Sequence, residues 1–178
     1  ENDIQGSQMS MNVVEFLLDT MGFDLKYTPE EGRAALLDAD FTEVMCSGPI
    51  TSLSGGWKMK LALVRATMQK ADIMLMDEPF AAVDAQTRIT LQDELNRVVM
   101  ATKKTILFIT HSVEEAAFLG DRCIVFSRRP GKVKAEIKID IPREERLWKD
   151  MVNNTRFTEA RDEILRLVRS EVTNDDDG

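Results

Sequence analysis

Cysteine, histidine and net positive charge are all scarce in this sequence, and each shortage narrows what the chain can do. Only two cysteines, Cys46 and Cys123, occur in 178 residues. They lie far apart without metal-ligand spacing, which fits a reduced, cytosolic compartment and small buried apolar roles. Lys and Arg number 23 against 31 Asp and Glu, a formal net charge of −8. An acidic balance argues against broad nucleic-acid binding, because phosphate backbones recruit basic surfaces. The best local basic cluster, Arg128, Arg129, Lys132 and Lys134, reads either as an anion patch or as a solvated hairpin, the commoner origin of such a run. No stretch approaches the roughly 18 consecutive apolar residues of a membrane span, and no charged leader followed by an apolar core opens the N-terminus. Work at a membrane is therefore expected to go through a partner. No internal repeat is visible. No G-x-x-x-x-G-K-[ST] phosphate loop is present either, the one Gly-Lys pair, Gly131-Lys132, lying in another context.

What is present is enough apolar material, 43% of residues, for one core and an attached subdomain. Apolar spacing predicts helices over Met11–Met21, ended by Gly22, and from Pro29 to about Asp40, Pro29 suiting a first helical turn. Ser47-Gly48-Pro49 breaks the chain, and a loop leads to Ser54 at a helix N-cap. Helical spacing returns over Gly56–Gln69, Ala85–Val99, Ser112–Leu119 and Phe157–Val172. Ile73–Met76, Thr105–Thr110 and Arg122–Ser127 read as strands of a covered parallel sheet, and Val133–Ile141 as a more exposed strand. The order is alternating α/β. Asp175 to Asp177 read as a frayed tail.

Three places could carry chemistry. Ser54-Gly55-Gly56 offers a hydroxyl, free amides and a helix dipole to an anion, with no Cβ to keep a phosphate away. The alternative is an ordinary capped loop. Asp77 and Glu78 close the Ile73–Met76 strand, at the end where ligands gather in open α/β sheets; two acids there can also be a solvated turn. His111, the only histidine, follows the strand Ile106-Leu107-Phe108-Ile109-Thr110, and a lone histidine is more often structural. Asp84 is placed as an N-cap for the helix starting near Ala85.

In this order and spacing, LSGGWKMK, IMLMDEP and AAVD resemble the signature motif, Walker B strand and D-loop of an ATP-binding-cassette ATPase. The resemblance implies a P-loop NTPase fold: a parallel sheet with flanking helices and a small helical subdomain, here without the Walker A strand and loop. It implies 1–52 as helical subdomain, 53–141 as signature helix and α/β core, and 142–178 as a helical tail. By the same resemblance Asp77 holds Mg²⁺ and Glu78 acts as general base on the attacking water. His111 is then the switch histidine that contacts the γ-phosphate. Ser54, Gly55 and Gly56 approach the ATP of a second ATPase domain arranged head to tail, and Asp84 lies at that interface.

Residues 1–79, especially ENDIQGSQ and ITSLSGGWKMKLALVRATMQKADIMLMDEP, are similar to fungal-type translation elongation factor 3. The stretches FAAVDAQTRITLQDELNRV, ITHSVEEAAFLGDRCIVFSRRPGKV and IPRE look like the ATPase subunits of bacterial nitrate, sulfonate and taurine importers. A recombined or engineered chimera explains the switch within DEP, a divergent natural member being the alternative. The leading expectation is an ATPase that couples ATP to small-anion transport through a membrane permease, at the inner face of a membrane. A ribosome-associated ATPase and a non-catalytic folded fragment are the alternatives. Without the phosphate-loop lysine and amide cradle, autonomous turnover is not expected. The family also places the phosphate-loop strand between the strand ending at His111 and the one at Arg122–Phe126. Its absence predicts a repacked sheet, strand exchange or an obligate partner.

Overall fold

A computed structural model describes residues 10–19, 27–69 and 71–169. The chain divides into two compact units, Glu1–Leu107 and Phe108–Gly178. Gly22, the ENDIQGSQ segment and the acidic tail lie outside the described residues.

The first unit begins with α1 (Val13–Asp19), α2 (Pro29–Asp38) and α3 (Glu43–Ser47). Polar side chains set where these helices start. Thr28 and Glu31 form a reciprocal capping box ahead of Pro29, and Thr42 accepts the Met45 N–H at 3.2 Å. A single turn, Ile50–Ser52, then leads to α4 (Gly55–Met68). Val13, Leu17, Leu36, Phe41, Cys46, Ile50, Leu61 and Val64 close one buried core among these helices. Cys46 is fully buried as a small apolar group, and burial pushes its thiol pKa up.

Strand β1 (Ile73–Asp77) is followed by α5 (Ala85–Thr102) and β2 (Thr105–Ile109). The two strands neighbour each other in a two-stranded sheet, start beside start as in a parallel pair joined by a helical crossover. The Thr105 N–H donates to the Asp72 carbonyl at 2.9 Å at its start. α4 and α5 pack together. The sheet carries exposed apolar side chains, Ile73 at 70%, Leu75 at 64% and Leu107 at 56%.

In the second unit α6 (Val113–Leu119) leads to β3 (Arg122–Phe126) and β4 (Val133–Lys138). A turn at Arg143–Glu145 precedes α7 (Trp148–Met151) and α8 (Thr155–Arg169). Here the sequence expectation is corrected. β3 does not join a parallel sheet; it pairs antiparallel with β4, from Arg122 opposite Lys138 to Phe126 opposite Val133. A short turn makes this pairing local, whereas the strand that the resemblance sets between β2 and β3 is not among the described residues. Among the described residues the result is two separate two-stranded sheets in place of one.

α6, α8 and the β3–β4 hairpin enclose Phe118, Val125, Ile137, Phe157 and Ile164. Trp148 bridges Phe118 and Phe157, at ring separations of 5.2 and 6.2 Å. Arg146, 2% exposed, ties the segment after β4 to the end of α6. It donates to the carbonyls of Ile141 (2.6 and 2.9 Å), Gly120 (2.8 Å) and Phe118 (3.3 Å). Among the described residues no helix is long and apolar enough to cross a membrane.

Candidate functional site

In the first unit the start of α4 lies against the turn between β1 and α5. Ser54 is the N-cap of α4, its hydroxyl oxygen 3.5 Å from the Trp57 N–H. That long contact leaves the first-turn amides of α4 short of protein acceptors, as helix starts generally are. Gly55 and Gly56 are required by what faces them. A Cβ on Gly55 would lie 2.7 Å from the Ala82 carbonyl oxygen, and one on Gly56 would lie 2.6 Å from Thr87 Cγ2. Both distances are well inside van der Waals contact. Only glycine lets helix and turn approach this closely.

Asp84 caps α5, accepting the Thr87 N–H at 3.0 Å. A hydrogen bond from the Thr87 side chain, and then one from its amide, hold the Asp84 carboxyl below the usual carboxylate range. Thr87 thus meets Asp84 with its polar atoms and stands over Gly56 with its methyl. The spacing D-x-x-T hints at the first contact, but nothing local signals the second.

Asp77 is the last residue of β1 and is exposed; Glu78 is half-buried in the turn that follows. Glu78 has φ of 45°, a left-handed conformation that costs a side-chain-bearing residue about 1–2 kcal/mol. The neighbouring Pro79 also favours extended backbone at residue 78, so this acid is held against two local preferences. Its carbonyl accepts the Ala81 N–H at 3.1 Å, and the Phe80 carbonyl accepts the Val83 N–H at 3.1 Å. Phe80, 1% exposed, anchors the turn. Backbone strain of this kind gathers at functional positions.

The donor set bears on Mg²⁺. Among the described residues no group of three or more His, Cys, Asp or Glu could hold a metal ion, and at the end of β1 stands an exposed carboxylate, Asp77. That fits Mg²⁺, which keeps waters and takes substrate phosphates beside one or two carboxylates. It does not fit a metal held by protein alone.

His111 belongs to the second unit and is exposed in the turn between β2 and α6. β2 ends at Ile109, one residue short of the expected strand, which leaves Thr110 in the turn. Thr110 Oγ1 donates to Glu115 Oε2 at 2.7 Å and accepts the Ser112 N–H at 3.0 Å. Ser112 caps α6 through the Glu115 N–H at 3.3 Å. The structure thus brings Ser54, Gly55, Gly56 and Asp84 to one edge of the first unit, with Asp77 and Glu78 leading into the Asp84 turn. Sequence reasoning missed Thr87, Thr110 and Glu115.

The family model for the ABC transporter matches residues 9–81. An uncharacterized ABC transporter ATP-binding protein of Methanocaldococcus jannaschii is 40% identical over 157 residues, 86% of this chain and 57% of that protein. An aliphatic sulfonates import ATP-binding protein of Mesorhizobium japonicum is 38% identical over 146 residues, 82% of this chain and 56% of that protein. The chain spans about half the length of the curated relatives it matches. Among solved structures, a dimeric bacterial ABC transporter cassette aligns with a TM-score of 0.60 at 23% identity, over 78% of this chain and 62% of that one. This likeness speaks for the fold.

Proposed function

We propose, from the premise that this chain belongs to the ATP-binding-cassette ATPase family, that it offers Ser54, Gly55 and Gly56 to the ATP of a second ATPase domain and contributes Asp77, Glu78 and His111 as its own magnesium, base and switch residues. The assembly would couple ATP binding and hydrolysis to import of a small anion through a partner permease. The observation that carries the reading is the close approach of Gly55 to Ala82 and of Gly56 to Thr87. It unites the phosphate-facing helix start and the Asp84 turn in one edge. The printed name of the sulfonate-import relative supports the small-anion class.

In this reading the N–H groups of Gly55 and Gly56 and the Ser54 hydroxyl bind the γ-phosphate of an ATP held by the phosphate loop of a second, head-to-tail ATPase domain. Asp84 lies at that interface. Asp77 holds Mg²⁺, which when bound neutralises phosphate charge. Glu78 accepts a proton from the attacking water and His111 donates a hydrogen bond to the transferred phosphoryl oxygens. Segments 1–52, 53–141 and 142–178 act as helical subdomain, signature and α/β core, and helical tail, working at the cytoplasmic face of a membrane.

The test mixes the chain with an ATPase domain that carries a phosphate loop and adds Mg-ATP. Nucleotide at a hundred times its Kd should stabilise the complex by about 2.7 kcal/mol. Phosphate release should fall ~10²–10⁴-fold in Glu78→Gln, with binding kept. If ATP raises no melting temperature and Glu78→Gln changes nothing, the reading fails. Nucleotide stabilisation without turnover in either form would favour a non-catalytic fragment, and co-purification with ribosomes a ribosome-associated ATPase.

A further inference from the structure

We infer that Glu115 is a positioning residue that fixes the His111 turn through Thr110. Glu115 is 5% exposed although it belongs to the first turn of a seven-residue helix, and a buried acid is costly unless hydrogen-bonded. Its Oε2 takes the Thr110 hydroxyl proton at 2.7 Å. A hydroxyl has one proton to give, so this bond aims the oxygen's lone pairs elsewhere, and the Ser112 N–H lies 3.0 Å away on that oxygen. The Glu115 N–H in turn reaches Ser112 Oγ at 3.3 Å. Thr110 and Ser112, the residues on either side of His111, are therefore joined to each other and to Glu115, Thr110 through the carboxylate and Ser112 through the amide. Rotation of the 110–112 backbone, which would swing the imidazole, has to break the Thr110 bonds first. An apolar side chain at 115 would fill the same space and leave the hydroxyl unaimed.

The inference rests on the reading of His111 as the phosphoryl contact, and its test separates the two. His111 is the only histidine, so its ring gives one set of ¹H–¹³C signals. Glu115→Ala and Thr110→Val should each move those signals and the Ser112 amide by more than a linewidth, and the double variant should move them no further. Glu115→Gln, which keeps an acceptor for the hydroxyl, should leave them in place. Ring signals that stay put in Glu115→Ala while β3–β4 amide dispersion persists would overturn the inference. Loss of that dispersion in the Ala or Val variant would also overturn it, because the clamp would then serve the fold and not the ring. If Mg-ATP with a phosphate-loop domain leaves the parent ring signals unmoved, the functional reading fails while the positioning result stands.

Discussion

A methyl group added at position 56 tests the seat on which the candidate site depends. In Gly56→Ala the new Cβ would lie 2.6 Å from Thr87 Cγ2, 3.8 Å from Thr87 Cβ and 4.0 Å from Leu91 Cδ1. Two carbons prefer about 3.5–4.0 Å, so the conflict falls almost wholly on one methyl. Thr87 cannot rotate away freely, because its hydroxyl and amide both bond Asp84. Overpacking of this kind costs about 1–3 kcal/mol, while alanine gains up to about 1 kcal/mol over glycine in a helix. The single variant should therefore be less stable by ~0–3 kcal/mol, too wide a range to decide anything alone. Thr87→Ser decides it, since serine lacks Cγ2 and keeps the hydroxyl. Urea midpoints at unchanged m-value should give Gly56→Ala and Thr87→Ser a favourable coupling of about 1–3 kcal/mol in the double variant. Gly55→Ala is the control. Its Cβ would meet the Ala82 carbonyl oxygen at 2.7 Å, a backbone atom that Thr87→Ser leaves in place, so that pair should be additive within ~0.5 kcal/mol. Zero coupling at 56/87, or equal rescue at 55, would refute the geometry.

Asp84 should contribute a pH-dependent increment. Its folded-state pKa is lowered by the Thr87 hydroxyl and amide, so the stabilisation is present above the ordinary carboxylate pKa of about 3.9 and lost as pH falls through the folded value. The stability gap between the parent and Asp84→Asn should narrow in acid; a gap that stays constant throughout acid titration counts against it. Arg146→Met should remove at least ~3 kcal/mol, because several carbonyls near a buried site lose donors at ~1–3 kcal/mol each. Near-ultraviolet dichroism of Trp148, packed on Phe118 and Phe157, reports it, and an unchanged melting temperature would contradict it. Leu36→Ala, at 0% exposure, should cost about 2–5 kcal/mol, whereas Leu75→Thr, at 64%, should cost under ~0.5 kcal/mol. A large loss at Leu75 would mean that another chain covers that strand in solution.

Helix starts were the most legible part of the sequence, and the reason is local. Pro29, Ser54, Asp84 and Ser112 all stand at helix starts because the preference that places them lies within one turn of chain. Strand positions were legible within a few residues. β4 stops at Lys138 instead of Ile141, although the Ile139 N–H still reaches the Asp121 carbonyl at 2.9 Å and Arg146 takes the Ile141 carbonyl. Pairing was not legible. The alternation in β4 says which faces it has and nothing about which strand it will find, and the apolar run of β3 is equally silent, so the antiparallel hairpin came only with the structure. The positive φ of Glu78 was hidden for a sharper reason: Pro79 argues for the opposite backbone, and only the turn anchored by Phe80 overrides it. Thr87 and Glu115 escaped because each acts through a side chain whose partner is fixed by packing.

The two glycines of α4 answer two demands with one property. In the proposed reading their amides face a phosphate, and absence of a Cβ lets Ala82 and Thr87 come within a distance no side chain would allow. Loss of ATP turnover on substituting either residue therefore cannot, by itself, be assigned to the phosphate contact. The same change pushes on the turn that carries Asp84 and, through it, on Glu78. The Gly56/Thr87 pair separates these contributions, because Thr87→Ser restores the room while position 56 remains alanine. Turnover recovered in that double variant would place the glycine requirement in the packing of helix against turn. Turnover still lost with stability restored would place it at the phosphate.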